Sequence, residues 1–152
     1  MPSKKSSQSS FTGAAVPWTN SMKDSATQVI QRVMAQEERT IEELTRSIER
    51  RQQVVNVRLE SKNDMATVFC MKQLLGLEAQ KEQARHRYSQ LKGIAMEVWA
   101  SSTPVDYLGQ IARILDAPVP PVDVYQNEQV LEEARSRLRE ASSLRQQGTR
   151  AA

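Results

Sequence analysis

Hydrophobic residues in the first half of the chain recur at the spacing of a long α-helix. The repeat is seven residues long and consists of Met34, Ile41, Ile48 and Val55. Ile30 and Leu44 occupy the interleaved positions, so one apolar stripe runs along the helix. Ser25 is the predicted N-cap, and neither Gly nor Pro occurs from Ala26 until Gly76. The pattern therefore predicts a long, uninterrupted helix from Ala26.

A short polar cluster ends this pattern before a second one begins. Residues 61–64 read SKND, where either Asn63 or Asp64 has a side chain suited to cap a new helix. Beyond the cluster, apolar residues alternate in steps of four and three from Cys70 to Val98. Two helices of about 35 residues would each be about 50 Å long, and a tight turn makes them antiparallel neighbours. We therefore predict an all-α protein whose core, residues 26–100, is one long antiparallel helical hairpin.

The segments outside the hairpin have patterns of their own. Residues 1–25 are rich in Ser, Gly and Pro and lack periodicity, which predicts a flexible N-terminal arm. Thr103 as N-cap, followed by Pro104 in the first turn, predicts a short third helix. The predicted third helix, Pro-rich linker and C-terminal helix are residues 101–116, 117–126 and 127–147.

Composition and charge limit the functions open to this chain. Its 152 residues include 21 Lys and Arg against 18 Asp and Glu, and this net charge of +3 is far below the excess of a dedicated nucleic-acid binder. Cys70 is the only cysteine, so no internal disulfide is possible and a reduced, cytoplasmic compartment is expected. The sequence has no apolar run of about 18 residues or more, so no membrane-spanning helix is predicted.

No constellation of catalytic or metal-ligating residues is recognisable. The sequence lacks a Ser, His, Asp set, a glycine-rich phosphate loop, a zinc spacing and an EF-hand loop. The single histidine, His86, lies between Arg85 and Arg87, and the sequence offers no base or orienting partner for it. We therefore expect a non-enzymatic protein with no catalytic residues, no metal site, no cofactor and no small-molecule substrate.

Two sets of side chains are candidates for interaction surfaces. The second helix has more apolar surface than one seam needs, which predicts a polymer or partner interface. Its residues are Met71, Leu74, Leu75, Met96 and Trp99. The N-terminal arm combines aromatic and basic residues, which favours contact with an acidic membrane, although a disordered tail with scattered apolar residues is the alternative. The predicted membrane contacts are Lys4, Lys5, Phe11, Trp18 and Lys23.

Two stretches of the hairpin resemble the Snf7 group of ESCRT-III proteins, the charged multivesicular body proteins. The stretch SATQVIQRVMAQEERTIEEL, which begins at Ser25, is similar to the start of that family's first core helix. The stretch MATVFCMKQLLGLEAQ, from Met65 to Gln80, is similar to its second-helix pattern. The matching residues are Ile30, Gln31, Arg32, Val33, Glu37 and Glu38, then Ala66, Met71, Lys72, Glu78 and Gln80. The resemblance covers roughly residues 26–115.

The resemblance implies a subunit that polymerises on membranes, together with copies of itself or with other ESCRT-III-like subunits. Such a subunit remodels and cuts membrane in endosomal sorting, and a Vps4-type AAA ATPase disassembles the polymer. It would be cytoplasmic and peripheral on the endosomal membrane. Arg137 and Leu138 match the family's ATPase-recruiting motif, whereas Ala134 and Ala141 stand where leucines are usual. Leu74, Leu75 and Leu77 stand where the family usually has basic residues.

Other functions fit the same helices. A coiled-coil scaffold subunit of a hetero-oligomeric complex would also have a leucine-rich second helix and no basic stripe. Nucleic-acid binding is disfavoured, because glutamates interleave the arginines of the first helix and no aromatic platform lies among them. The sequence therefore predicts a helical assembly protein, with the ESCRT-III-like subunit first and the scaffold subunit as the alternative.

Overall fold

The computed structural model describes residues 17–119 and 125–151, with side chains as far as residue 148, and this part of the chain contains helices and no strand. The helices are α1, Asn20–Glu60; α2, Asp64–Ala100; α3, Tyr107–Leu115; and α4, Asn127–Ala151. Helices α1 and α2 pack against each other as a hairpin, and two shorter helices follow them. The predicted all-α hairpin fold is confirmed.

Helix α1 begins earlier than the predicted Ala26, because Thr19 caps it. The Thr19 hydroxyl oxygen accepts a hydrogen bond from the backbone N–H of Met22 at 3.2 Å, which is the geometry of an N-cap. Ser25 lies inside the helix, where its hydroxyl donates to the carbonyl oxygen of Ser21 at 3.1 Å. Ser25, the predicted N-cap, was wrong. Thr19 and Ser25 both have hydroxyls that can cap a helix, and the sequence alone does not show which of them does so.

Helix α1 ends in a Schellman motif that has a lysine at its left-handed position. Lys62 has φ 58° and so occupies the left-handed position that glycine usually takes at a helix C-terminus. The N–H of Lys62 donates to the carbonyl of Leu59 at 3.0 Å, and the N–H of Asn63 donates to that of Arg58 at 3.2 Å. Asn63 then caps α2, since its side-chain oxygen accepts from the N–H of Ala66 at 3.2 Å. The turn therefore ends one helix and starts the next within three residues.

The chain divides into two compact units, each of which contains part of the hairpin. Unit 1 comprises Met1–Glu38 and Arg85–Ala117, and its core joins α1, α2 and α3. The buried residues of this core are Ala26, Ile30, Leu91, Ile94, Val98 and Ile111. Because Ile111 belongs to α3, the short third helix is held by apolar burial against the hairpin helices of the same unit.

Helix α3 begins later than predicted. Asp106, rather than Thr103, is its N-cap, and the Asp106 carboxylate accepts from the backbone N–H of Gly109 at 3.0 Å. Thr103 belongs to the preceding turn, where its carbonyl oxygen accepts from the Ser101 hydroxyl at 2.7 Å. Thr103 and Asp106 both have side chains that can cap a helix. The hydrogen bond from the Gly109 N–H to Asp106 places the start of α3 at Tyr107.

Unit 2 comprises Arg39–Ala84 and Pro118–Ala152, and its core joins α1, α2 and α4. The buried residues of this core are Val55, Cys70, Met71, Leu74, Val130 and Ala134. Helix α4 is polar over most of its length, and Val130 and Ala134 are its buried contributions. The C-terminal helix is therefore part of the core of unit 2.

Gly93 provides a test of the packing around α2. A Cβ added there would meet no atom within 4 Å, so alanine fits without strain. We expect Gly93→Ala to raise the free energy of unfolding by about 0.5–1 kcal/mol, because alanine favours the helix and restricts the unfolded chain. Urea unfolding monitored by circular dichroism measures this. Gly109→Ala is the control: its Cβ would collide with the Asp106 carboxyl, so this variant should be less stable than the wild type.

Candidate assembly surfaces

Trp18 and Lys23 bind the C-terminal end of α2. The Trp18 indole Nε1–H donates to the carbonyl oxygen of Val98 at 2.8 Å, and the indole packs against the core of unit 1. The Lys23 ammonium donates to the carbonyl of Trp99 at 3.2 Å and lies 5.8 Å from the centroid of the Trp99 ring. The last carbonyls of a helix have no partner within the helix, so these donors satisfy them.

The membrane contact of Trp18 and Lys23 stays a prediction. In this structure the two side chains hold α1 against α2 inside unit 1, and both remain partly exposed. Lys4, Lys5 and Phe11, the other predicted membrane contacts, lie outside the described residues.

The predicted partner interface on α2 separates into buried and exposed residues. Met71 and Leu74 are fully buried in the core of unit 2, and Leu75 packs against that core. In this structure they contact the chain's own helices and do not form an exposed interface. The sequence pattern could show that α2 has surplus apolar residues, but not that α4 would cover them.

Met96 and Trp99 remain exposed in unit 1. Met96 is 72% exposed, and the Trp99 ring, although close to Lys23, is also exposed. Of the residues predicted to face a partner, these two are positioned to do so. Burying such side chains against another helix would remove apolar area from water and so stabilise an assembly.

Arg137 joins α4 to α2 through a bidentate ion pair. Its guanidinium donates to the two carboxylate oxygens of Glu78 at 2.6 and 2.8 Å, and its Nε–H donates to Glu133 at 2.9 Å. The hydrogen bonds to Glu78, and then that to Glu133, raise the pKa of Arg137 further above its usual range. Paired charges in fork geometry make strong and directional contacts. Arg137, predicted to recruit an ATPase, therefore holds α4 in place in this structure.

Leu138, the other residue of the predicted ATPase motif, is half-buried. It lines a surface depression of about 500 Å³ beside the hairpin turn. The remaining lining residues are Leu59, Lys62, Asp64, Arg135 and Arg139. The depression combines apolar walls with several basic side chains, and Arg139 also pairs with Glu132 at 2.8 Å.

A buried ion pair lies in the hairpin seam of unit 1. Arg87 donates from Nε and Nη2 to the two carboxylate oxygens of Glu37 at 3.1 and 3.2 Å. The Glu37 side chain is 8% exposed and that of Arg87 is 18% exposed. One signal could have revealed it: Glu37 follows Ile30 by one heptad and precedes Leu44 by another, so it occupies a seam position.

The hairpin turn has exposed apolar side chains of its own. Val57 is 57% exposed, Met65 is 86% exposed and Phe69 is 65% exposed. Arg58 and Lys62 are also exposed between them in sequence. We refer to these five residues as the turn surface. In the sequence, Met65 and Phe69 are four residues apart, which places them one turn apart on the same face of α2.

The remaining candidates for chemistry among the described residues are possible metal ligands, Cys70 and His86. Over residues 17–119 and 125–151, no group of three or more His, Cys, Asp and Glu is placed to hold a metal ion. Cys70 is a free, buried thiol in the core of unit 2, and His86 is exposed. Within the same part of the chain, no helix has the length and apolar character needed to cross a membrane.

No family model, no curated protein and no solved structure matches this chain. The features that bear on function are therefore the hairpin, the contacts that hold its helices, and the side chains that those contacts leave exposed.

Proposed function

We propose that this chain is a non-enzymatic, ESCRT-III-like subunit that polymerises on membranes and remodels or cuts them in the multivesicular body pathway. The observation that carries the proposal is where the resembling residues lie in the hairpin. Ile30 is buried in the core of unit 1 and Glu37 is in the seam, while Met71 is buried in the core of unit 2. The stretches that resemble the family thus supply contacts between the hairpin helices of this chain.

Exposed apolar side chains support side-by-side assembly. Met96 and Trp99 lie on the outside of α2, and their burial against another subunit would favour association. The partners we propose are copies of this chain or other ESCRT-III-like subunits, on an acidic membrane surface. The location we propose is cytoplasmic and peripheral on endosomal membrane.

The C-terminal helix is the proposed contact for a Vps4-type ATPase. Arg137 is bound to Glu78 and Glu133, and Leu138 is half-buried, so both are engaged within unit 2. An ATPase that binds these residues would therefore require α4 to separate from α2 first.

The alternative is a coiled-coil scaffold subunit of a hetero-oligomeric complex. The observation that favours it is that Met96 and Trp99 are exposed in a chain whose net charge is only +3. A fixed helical partner would cover these side chains without any need for a membrane. This function predicts a stoichiometric partner and no filaments of the pure protein.

Electron microscopy of the purified full chain, with and without anionic liposomes, tests the proposal. We expect filaments, rings or coated tubules, because the exposed side chains of α2 favour lateral contacts between subunits. Met96→Asp should lower the amount of pelletable polymer by about tenfold, since a charge desolvated at a contact is costly. Leu144→Asp changes an exposed leucine on α4. It is the control and should assemble like the wild type. Dispersed particles under all conditions, together with co-purification of a stoichiometric helical partner, would support the scaffold alternative instead.

A further inference from the structure

The turn surface has the features of a site that enters a lipid interface. Its apolar members are Val57 on α1 and Met65 and Phe69 on α2, and all are more than half exposed. Exposed side chains of this size are individually common, but here three of them flank one turn. They belong to two different helices at the same end of unit 2, so one docked helix would cover them poorly, whereas a fluid surface could surround them.

Distances along the helices agree with the depth of an interface. At 1.5 Å per residue, Val57 lies about 6 Å from the turn along α1, and Phe69 lies about 9 Å from it along α2. Met65 is in the first turn of α2 and is closer still. Amphipathic segments bury their apolar side chains about 5–10 Å into the boundary between head groups and acyl chains. An end-on approach would therefore place all three side chains within that layer.

The charge around the turn favours an anionic surface. Residues 50–72 contain five basic and two acidic side chains: Arg50, Arg51, Arg58, Lys62 and Lys72 against Glu60 and Asp64. Asp64 is in the first turn of α2, where the helix dipole already stabilises its charge. Arg135 and Arg139 of α4 add basic groups beside Lys62, although Glu132 pairs with Arg139. Each cation close to an anionic leaflet contributes about 1 kcal/mol.

We propose that the turn surface is a membrane-docking tip, which enters the head-group region of an anionic bilayer end-on. Val57, Met65 and Phe69 would reach the acyl boundary, while Arg58 and Lys62 would bind lipid phosphates. The proposal rests on the membrane role proposed above, and it concerns the hairpin turn rather than the N-terminal arm.

Flotation of the full chain with vesicles tests this inference. The vesicles contain either phosphatidylcholine alone or phosphatidylcholine with about 30% phosphatidylserine, the anionic lipid of cytoplasmic leaflets. We expect Met65→Ser/Phe69→Ser to lower the vesicle-bound to free ratio about tenfold or more on the anionic vesicles. Leu108→Ser/Leu144→Ser, at two leucines of other helices that are 59% and 62% exposed, is the matched control and should bind like the wild type. Arg58→Gln/Lys62→Gln should lower binding to the anionic vesicles and weaken its dependence on salt.

A second measurement reports depth directly. The fluorescence that Phe69→Trp adds to the wild-type signal of Trp18 and Trp99 should be quenched by lipids brominated near the head group, and that added by Leu144→Trp should not be. Circular dichroism of each variant checks that the exposed substitutions leave the helices intact.

Three results would overturn the docking tip, and none of them is a failure of the wild-type chain to polymerise. One is binding of Met65→Ser/Phe69→Ser as tight as that of Leu108→Ser/Leu144→Ser. Another is a wild-type chain that forms filaments but does not float with either vesicle. The third is loss of a protein partner, or of self-association in the absence of lipid, on changing Met65 and Phe69, which would assign the surface to a protein. Failure of the proposed function is a separate result, the absence of any polymer in the electron microscope.

Discussion

Arg87→Ala should lower the free energy of unfolding by about 3 kcal/mol, because it leaves the Glu37 carboxylate buried in the seam without its partner. The Glu37 carboxylate accepts two hydrogen bonds from the Arg87 guanidinium, and an alanine side chain at residue 87 has no donor to replace them. Urea unfolding followed by circular dichroism measures the loss. A change of less than about 0.5 kcal/mol would mean that water solvates Glu37 in solution and that the seam is open at this point.

A double variant separates the ion pair from the packing around it. Glu37→Leu/Arg87→Met places apolar side chains of similar size in the seam, and replacing a buried pair in this way is often neutral or stabilising. We expect its stability to lie within about 1 kcal/mol of the wild type, well above that of Arg87→Ala. Equal losses in the single and double variants would contradict this account, because the double variant leaves no buried charge and keeps an apolar side chain at residue 87.

Leu74→Ala should cost about 3 kcal/mol, because Leu74 is fully buried in the core that α4 completes. Truncating a buried leucine removes apolar burial and leaves a cavity that surrounding side chains fill only in part. Leu144→Ala is the control on α4, where the side chain is 62% exposed and the expected change is within about 0.5 kcal/mol. Thermal unfolding of both variants beside the wild type makes the comparison.

The same pair of variants decides between two roles for Leu74. The sequence pattern assigned it to a partner interface, and a residue with that role would tolerate alanine in the isolated chain. A stable Leu74→Ala variant that no longer assembles would therefore support the sequence-based assignment, and it would show that α4 does not cover α2 in solution.

The helices themselves were predictable, because the spacing of hydrophobic residues that indicates a helix is visible within short stretches of the chain. The seven-residue repeat from Met34 to Val55 and the four-and-three steps after Cys70 predicted both hairpin helices. Their starting points were less predictable. Thr19 and Ser25 both have hydroxyls that can cap a helix, and Thr19 is the one that accepts from an orphan N–H.

The candidate surfaces were predicted less well than the helices. Met96 and Trp99 are exposed as expected, but Met71 and Leu74 are covered by the chain's own C-terminal helix. Apolar residues on the flank of a helix look alike in sequence, whether a distant segment or another molecule covers them. For the same reason, the sequence did not reveal that the Trp18 indole donates to the Val98 carbonyl.

By itself, the sequence determined that this protein is all-α, that its core is a long hairpin, and that the turn falls near Asn63. These features depend on local periodicity, capping side chains and the absence of Gly and Pro, which act between residues a few positions apart. Only the tertiary structure decided that Glu37 pairs with Arg87, that Arg137 holds α4 against Glu78, and that the hairpin turn keeps its apolar side chains exposed. Those outcomes depend on contacts between residues far apart in the chain, and a linear pattern does not specify which of several compatible faces will meet.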